Sequence, residues 1–200
     1  MINGCSIGLD VLVFNYSMFS PFDDTKNLAF EAKIIRDFNM IEEWLPARID
    51  NILDIGCGMG GIDILIQRSR NASKIYLIDG DGTGEKRNGF DAEMKPWNDV
   101  REAKQFIAGN VSNCKVYDKT PTRFFVDLVI SLKSWGHHYP IDTYLTLVER
   151  SLRYYGRVIL DIRKGHKEVG LRSMLNNGFW LLSCIYETEK SERMVFEKRR

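Results

Sequence analysis

From residue 24 to residue 45 apolar side chains recur three or four apart, at Leu28, Ala32, Ile35, Phe38, Ile41 and Leu45. This spacing predicts an amphipathic helix, with Asp23 and Asp24 available as caps and Pro46 as its stop. Beyond it the pattern changes. Short apolar or β-branched runs at 51–55, 74–78, 114–117, 126–130, 157–161 and 180–186 predict strands, and helical patterns at 61–69, 98–109, 141–154 and 168–177 lie between most of them. Short, continuously apolar strands alternating with amphipathic helices indicate a parallel sheet covered on both faces. The tail differs, because 180–187 and 192–197 are two β-like runs separated by a few polar residues and predict an antiparallel hairpin on the sheet edge. The expected fold is α/β: a doubly wound, mostly parallel seven-stranded sheet with a C-terminal antiparallel hairpin and an N-terminal helical extension. Residues 1–48 form the expected helical cap or lid and 49–200 the core of a single domain.

Composition narrows the class. Two hundred residues, 44% apolar and 12% aromatic, suit one globular domain with a sizeable core. Lys plus Arg number 28 against 27 Asp plus Glu, so no global field steers the chain towards nucleic acid or an anionic membrane. Cys5, Cys57, Cys114 and Cys184 form no CxxC pair, which argues against a zinc knuckle or disulfide framework and for a reducing, cytoplasmic setting. The apolar run 7–14 lacks a basic region before it and carries Asp10, unlike a secretory leader. Nothing approaches the roughly 18 apolar residues that span a bilayer.

The chemistry concentrates where the first predicted strand ends, in Asn51-Ile-Leu-Asp-Ile-Gly-Cys-Gly-Met-Gly-Gly61. In an open α/β sheet ligands sit beyond the carboxyl ends of the strands, near the point where strand order reverses. Gly56, Gly58 and Gly60 let a ligand touch the main chain, and the helix opening at Gly61 or Ile62 presents unpaired N–H groups. The run satisfies G-x-G-x-x-G, a weak signal alone. Asp54 is the better discriminator, since a carboxylate there suits a ligand bearing an ammonium group. At the end of the next strand Asp79 stands where a carboxylate can accept hydrogen bonds from both hydroxyls of a ribose. Asp81 is its rival, although Asp-Gly pairs are also ordinary turn residues.

The stretch Asp54-Ile-Gly-Cys-Gly-Met-Gly-Gly61 resembles the first motif of class I S-adenosylmethionine-dependent methyltransferases, an acid followed by x-G-x-G-x-G. The resemblance covers about residue 49 to the C-terminus. It implies that Asp54, Gly56, Cys57, Gly58, Gly60, Asp79, Gly80, Asp118 and Ser131 hold S-adenosylmethionine, which leaves as S-adenosylhomocysteine. Asp118 matches the position that contacts the adenine amino group, and a solvated loop aspartate is the alternative reading.

The fourth strand continues as Val126-Asp-Leu-Val-Ile-Ser-Leu-Lys-Ser-Trp-Gly-His-His-Tyr-Pro140. This resembles the D-L-V-x-S…H-H motif of small-molecule members of the family and most resembles sugar O-methyltransferases. It departs from the N-P-P-Y or D-P-P-Y motif of enzymes that methylate base nitrogens: Leu132, Lys133 and Ser134 stand in place of the prolines. If the acceptor is a hydroxyl its proton must leave, and an imidazole is suited to take it. His137 and His138 are the candidate bases, His138 preferred, and a capping or packing role is the alternative. Trp135, Tyr139 and Tyr16 are the expected acceptor contacts, with Phe19 and Phe22 able to line the same pocket. The segment 80–88 is long for a loop and could cover the cofactor. His137, His138, Asp142 and Asp161 could supply metal ligands, but adjacent histidines rarely converge on one ion, and no metal is expected. His166, with Arg163, Lys164 and Lys167, reads as a solvated basic loop or an anion contact.

The expected function is methyl transfer to a small polar or sugar-like acceptor, at a hydroxyl oxygen, by a monomer or homodimer without nucleic acid or membrane. Two alternatives stand beside it: a nucleic-acid or protein methyltransferase, which would need a basic face gathered from residues such as Arg68, Arg70, Lys164, Lys167 and Lys198, and a non-catalytic cofactor-binding partner subunit.

Overall fold

A computed structural model describes residues 14–16, 24–84, 89–91 and 98–199. The expectations placed on the 7–14 run except Phe14, on Asp23, Phe19 and Phe22, and on residues 85–88 of the 80–88 segment lie outside them. Seven strands form one sheet: β1 (Asn51–Ile55), β2 (Lys74–Ile78), β3 (Lys115–Tyr117), β4 (Val126–Ser131), β5 (Leu152–Arg163), β6 (Phe179–Glu187) and β7 (Ser191–Lys198). Their order is β3-β2-β1-β4-β5-β7-β6. The first five run parallel, and β7 is antiparallel to both β5 and β6. The C-terminal hairpin therefore does sit at the edge, with its second strand inserted next to β5. Strand order reverses between β1 and β4, which opens a crevice at their carboxyl ends.

The helices are α1 (Asp24–Ile41), α2 (Gly61–Arg70), α3 (Val100–Ala108), α4 (Asp142–Ser151) and α5 (Lys167–Asn176). None is long and apolar enough to cross a membrane. Side chains alternate along β1, so Ile52 joins the core cluster that includes α1–α3 residues, while Leu53 and Ile55 join the one that includes α4 and α5 residues. Asp54, two residues from Ile52, faces the first side, towards α2.

Two boundaries differ from expectation for local reasons. The helix expected to reach residue 45 ends at Ile41 and tightens into a 3-10 turn, Glu42–Trp44; Leu45 is extended at ψ 141°, because the residue before a proline is excluded from helical geometry. The helix expected over 141–154 ends at Ser151, and β5 begins at Leu152, paired with Val126, well before the expected 157. Leu152 is buried in either conformation, so its hydrophobicity does not distinguish them.

Arg193 of β7 is the largest buried charge. Its guanidinium donates to both carboxyl oxygens of Asp161 on β5, at 2.8 and 3.1 Å, and to Asp37 on α1 at 3.1 Å. Burial works to raise the Asp37 pKa, but Arg193 and Lys33 more than offset it and hold the carboxyl below its ordinary value. The triad ties the N-terminal helix to the sheet. Replacing Arg193 with Met leaves two buried carboxylates short of their main partner and should cost about 3–5 kcal/mol in urea unfolding; a loss below about 1 kcal/mol would show that α1 is held by its apolar face alone.

Candidate functional site

The crevice between β1 and β4 holds a cavity lined from four directions. The glycine loop contributes Asp54, Gly56, Cys57, Gly58 and Gly60; the end of β2 and the start of α3 contribute Asp79 and Asn98; the β4–α4 turn contributes Lys133, Ser134, His138 and Tyr139; and α1 contributes Phe30, Lys33 and Ile34. The loop is shaped by close approach. A Cβ on Gly56, at φ +75°, would sit 2.0 Å from Oγ of Ser134, so this turn and the β4–α4 turn meet only through a bare backbone. A Cβ on Gly61 would lie 2.9 Å from Phe30, which is how α1 comes near enough to wall the cavity.

Asp79 is half of the floor. One oxygen accepts from Gly58 N–H at 2.8 Å and more weakly from the Asn98 amide at 3.4 Å; the other accepts from Gly80 N–H at 2.8 Å. Burial raises its pKa against these donors. Asp81 instead turns to the Thr83 hydroxyl at 2.5 Å, and it does not line the cavity. Gly80 lies behind the floor, where its carbonyl accepts from Val100 N–H at 2.9 Å.

Asp54 is 2% exposed, and its pKa is pushed well up by burial, then by Asp63 and Asp79. Asp63, on the first turn of α2 and 0% exposed, is raised from 3.8 to about 7, chiefly by burial. Burial followed by these carboxylates also raises the Cys57 thiol, which stays protonated.

His138 and Tyr139 face the cavity from the other side. Nδ1 of His138 is 2.8 Å from the Gly89 carbonyl. A carbonyl only accepts, so Nδ1 carries the hydrogen and Nε2 is the basic nitrogen of the neutral ring. Burial raises the Tyr139 hydroxyl to about 12.

Other expected site residues lie elsewhere. His137 is 8% exposed and does not line this cavity; burial, then its neighbour His138, lowers its pKa to about 4, so it is uncharged at neutral pH. Trp135, expected at the acceptor, is instead fully buried in the core, its indole N–H donating to the Ile141 carbonyl at 2.6 Å. Ser131 is a staple between strands: its hydroxyl donates to Ile55 O at 2.7 Å and accepts from Trp135 N–H at 2.8 Å. Tyr16 packs on Phe106 with ring centroids 5.4 Å apart, against α3. Asp118 pairs with Lys104 at 3.0 Å outside the cavity. His166 stacks on Phe90, and Lys164 and Lys167 bond to Glu187 and Glu192. Asp161 is held by Arg193, and among the described residues no three His, Cys, Asp or Glu side chains could hold a metal ion.

Asp63 was not singled out from the sequence, and the expected N-terminal cap did not name Phe30, Lys33 or Ile34, the α1 residues that line the cavity. The available signal for Asp63 was its setting in Gly61-Ile-Asp-Ile-Leu-Ile66, an acid among isoleucines four residues before the buried Gln67.

No family model and no curated protein matches the chain. Solved structures match it in shape. The PH0226 protein from Pyrococcus horikoshii OT3 superposes with a TM-score of 0.64 at 15% identity, covering 92% of this chain and 98% of that one. A methyltransferase from Pyrococcus furiosus gives 0.58 at 16%, covering 84% and 83%. Magnesium protoporphyrin IX methyltransferase from Synechocystis PCC 6803, solved with bound SAM, gives 0.50 at 18%, covering 85% and 76%. What the chain shares with them is a fold, a Rossmann-like seven-stranded α/β sheet.

The raised Asp63 carboxyl fixes a pH dependence. The folded chain keeps a proton there that the unfolded chain gives up, so the stability it contributes is full below pH 3.8 and is lost as pH rises through about 7. Chemical denaturation between about pH 4 and 7 should show this fall, at a slope of up to about 1.4 kcal/mol per pH unit, and Asp63→Asn should reduce it.

Proposed function

We propose that the chain is an S-adenosylmethionine-dependent methyltransferase acting on a small polar or sugar-like acceptor, at a hydroxyl oxygen. One observation carries the reading: the glycine loop, the buried acid before it and the acid ending the next strand line a single cavity at the point where strand order reverses. The residues fit that cofactor, since carboxyls without a buried cation beside them among the described residues suit an ammonium group, and Asp79 lines the cavity with oxygens able to accept from a pair of hydroxyls. When bound, the cofactor supplies a methyl group made electrophilic by a positively charged sulfur.

The chain's part is alignment and proton removal. Asp54 and the Gly56–Gly60 main chain fix one end of the donor and Asp79 its sugar. His138 takes the acceptor's proton at Nε2, the nitrogen its bond to Gly89 leaves basic. Tyr139 and Lys133 line the same side and bound the acceptor. His137, outside the cavity and uncharged, has no part in the transfer.

Calorimetry with S-adenosylmethionine, followed by S-adenosylhomocysteine release over a panel of sugars, phenols, amines and nucleic acids, tests the reading. Binding with turnover on a hydroxyl compound supports it; turnover confined to amines or nucleic acid overturns the acceptor class, and absence of binding overturns the whole. Asp79→Ala should weaken donor binding roughly 10- to 100-fold, the loss expected for hydrogen bonds to a charged group. His138→Ala should lower kcat by about 10²–10⁴ with little change in donor Kd, whereas an unchanged kcat removes the base.

A further inference from the structure

Among the described residues, the cavity's floor carries acids without matching buried cations. Asp54 faces it from β1, and Asp63 stands behind Asp54 on α2, fully buried. The two carboxyls are within hydrogen-bonding reach of each other. Neither oxygen of Asp63 meets the geometry of a hydrogen bond with any N–H or O–H of the described residues. Among the described residues, the ionisable groups that face the pair are themselves acidic: Asp79 from the end of β2, the Cys57 thiol from the loop, and the Cys114 thiol from the approach to β3. The two lysines on the cavity wall are exposed, and Lys33 is 3.1 Å from Asp37. Opposing this, the acid sits in the first turn of a helix, where the dipole favours negative charge, but that gain is small beside the burial of two touching anions. Two carboxylates out of water and in contact do not both stay ionised; one proton between them converts repulsion into a hydrogen bond.

We propose that Asp63 is a positioning residue for the donor's ammonium group: it shares one proton with Asp54 while the cavity is empty, and that proton is released when the ammonium group arrives as counter-charge. This rests on the methyl-donor reading above. The exchange balances. One O–H bond of the pair breaks, the proton passes to solvent, and the ligand's positive charge takes its place beside Asp54, whose carboxyl Asp63 orients from behind. A nucleoside without an amino-acid end brings no such charge and displaces no proton.

Calorimetry of the full chain in buffers of different ionisation enthalpy counts the protons. S-adenosylmethionine should release about one proton per molecule bound below the pair's titration, with affinity rising up to about tenfold per pH unit. 5′-Methylthioadenosine should release none. Asp63→Asn should abolish the release while Asp54 remains. Binding of S-adenosylmethionine with no net proton release overturns the inference and leaves the methyl-donor reading standing; no binding at all overturns both. If Asp63→Asn does not fold, infrared spectroscopy of the unliganded wild-type protein decides: a carboxylic-acid C=O band persisting near neutral pH and lost on adding S-adenosylmethionine supports the shared proton, and its absence overturns it.

Discussion

Two buried carboxyl groups, Asp54 and Asp63, and a third that is partly exposed, Asp79, stand together where strand order reverses between β1 and β4, and much of the surrounding structure serves to hold them there. Asp54 and Asp63 are almost wholly out of water, and Asp79 closes the floor. Burying an isolated carboxylate costs several kcal/mol, so acids gathered here without a buried cation beside them among the described residues fit the proposal of a positively charged ligand. The alternation of β1 puts Asp54 on the face that α2 covers, and the glycine loop brings the first turn of that helix back over the strand end. Gly58 N–H then fixes Asp79, and the Ser131 hydroxyl pins the end of β1 to the turn after β4.

The N-terminal helix belongs to this arrangement because Arg193 joins it to the sheet. Asp37 on α1 and Asp161 on β5 share one guanidinium from β7, so the hairpin's insertion next to β5 also secures the cavity wall that Phe30 and Ile34 provide. Remote strands thus set the position of residues that line the cavity.

Much of the fold was legible in the sequence because its signals are local. The apolar runs of a buried parallel sheet, the glycines of a turn with no room for side chains and an acid at a strand end each follow from the requirements of a few neighbouring residues. Asp63 had only a weak signal, an acid set among isoleucines, because an acid in the first turn of a helix is ordinary there; only the packing of α2 over Asp54 removes it from water. The converse applies to Trp135 and Ser131, whose motif matches a ligand-facing segment while their side chains turn into the core and the strand junction. Which face of a short turn points inward depends on the left-handed backbone at Lys133 and Gly136, at φ +61° and +86°, and the residue order around them does not specify it. Asp118 likewise stands at the expected strand end, yet Lys104 from α3 reaches it.

The most direct measurement is a crystal structure of the chain with S-adenosylhomocysteine at saturating concentration. The account predicts the ammonium nitrogen hydrogen-bonded to Asp54, both ribose hydroxyls on Asp79, and the ligand's amino-acid end against the bare main chain of the glycine loop. A ligand seated away from these carboxyls would contradict it.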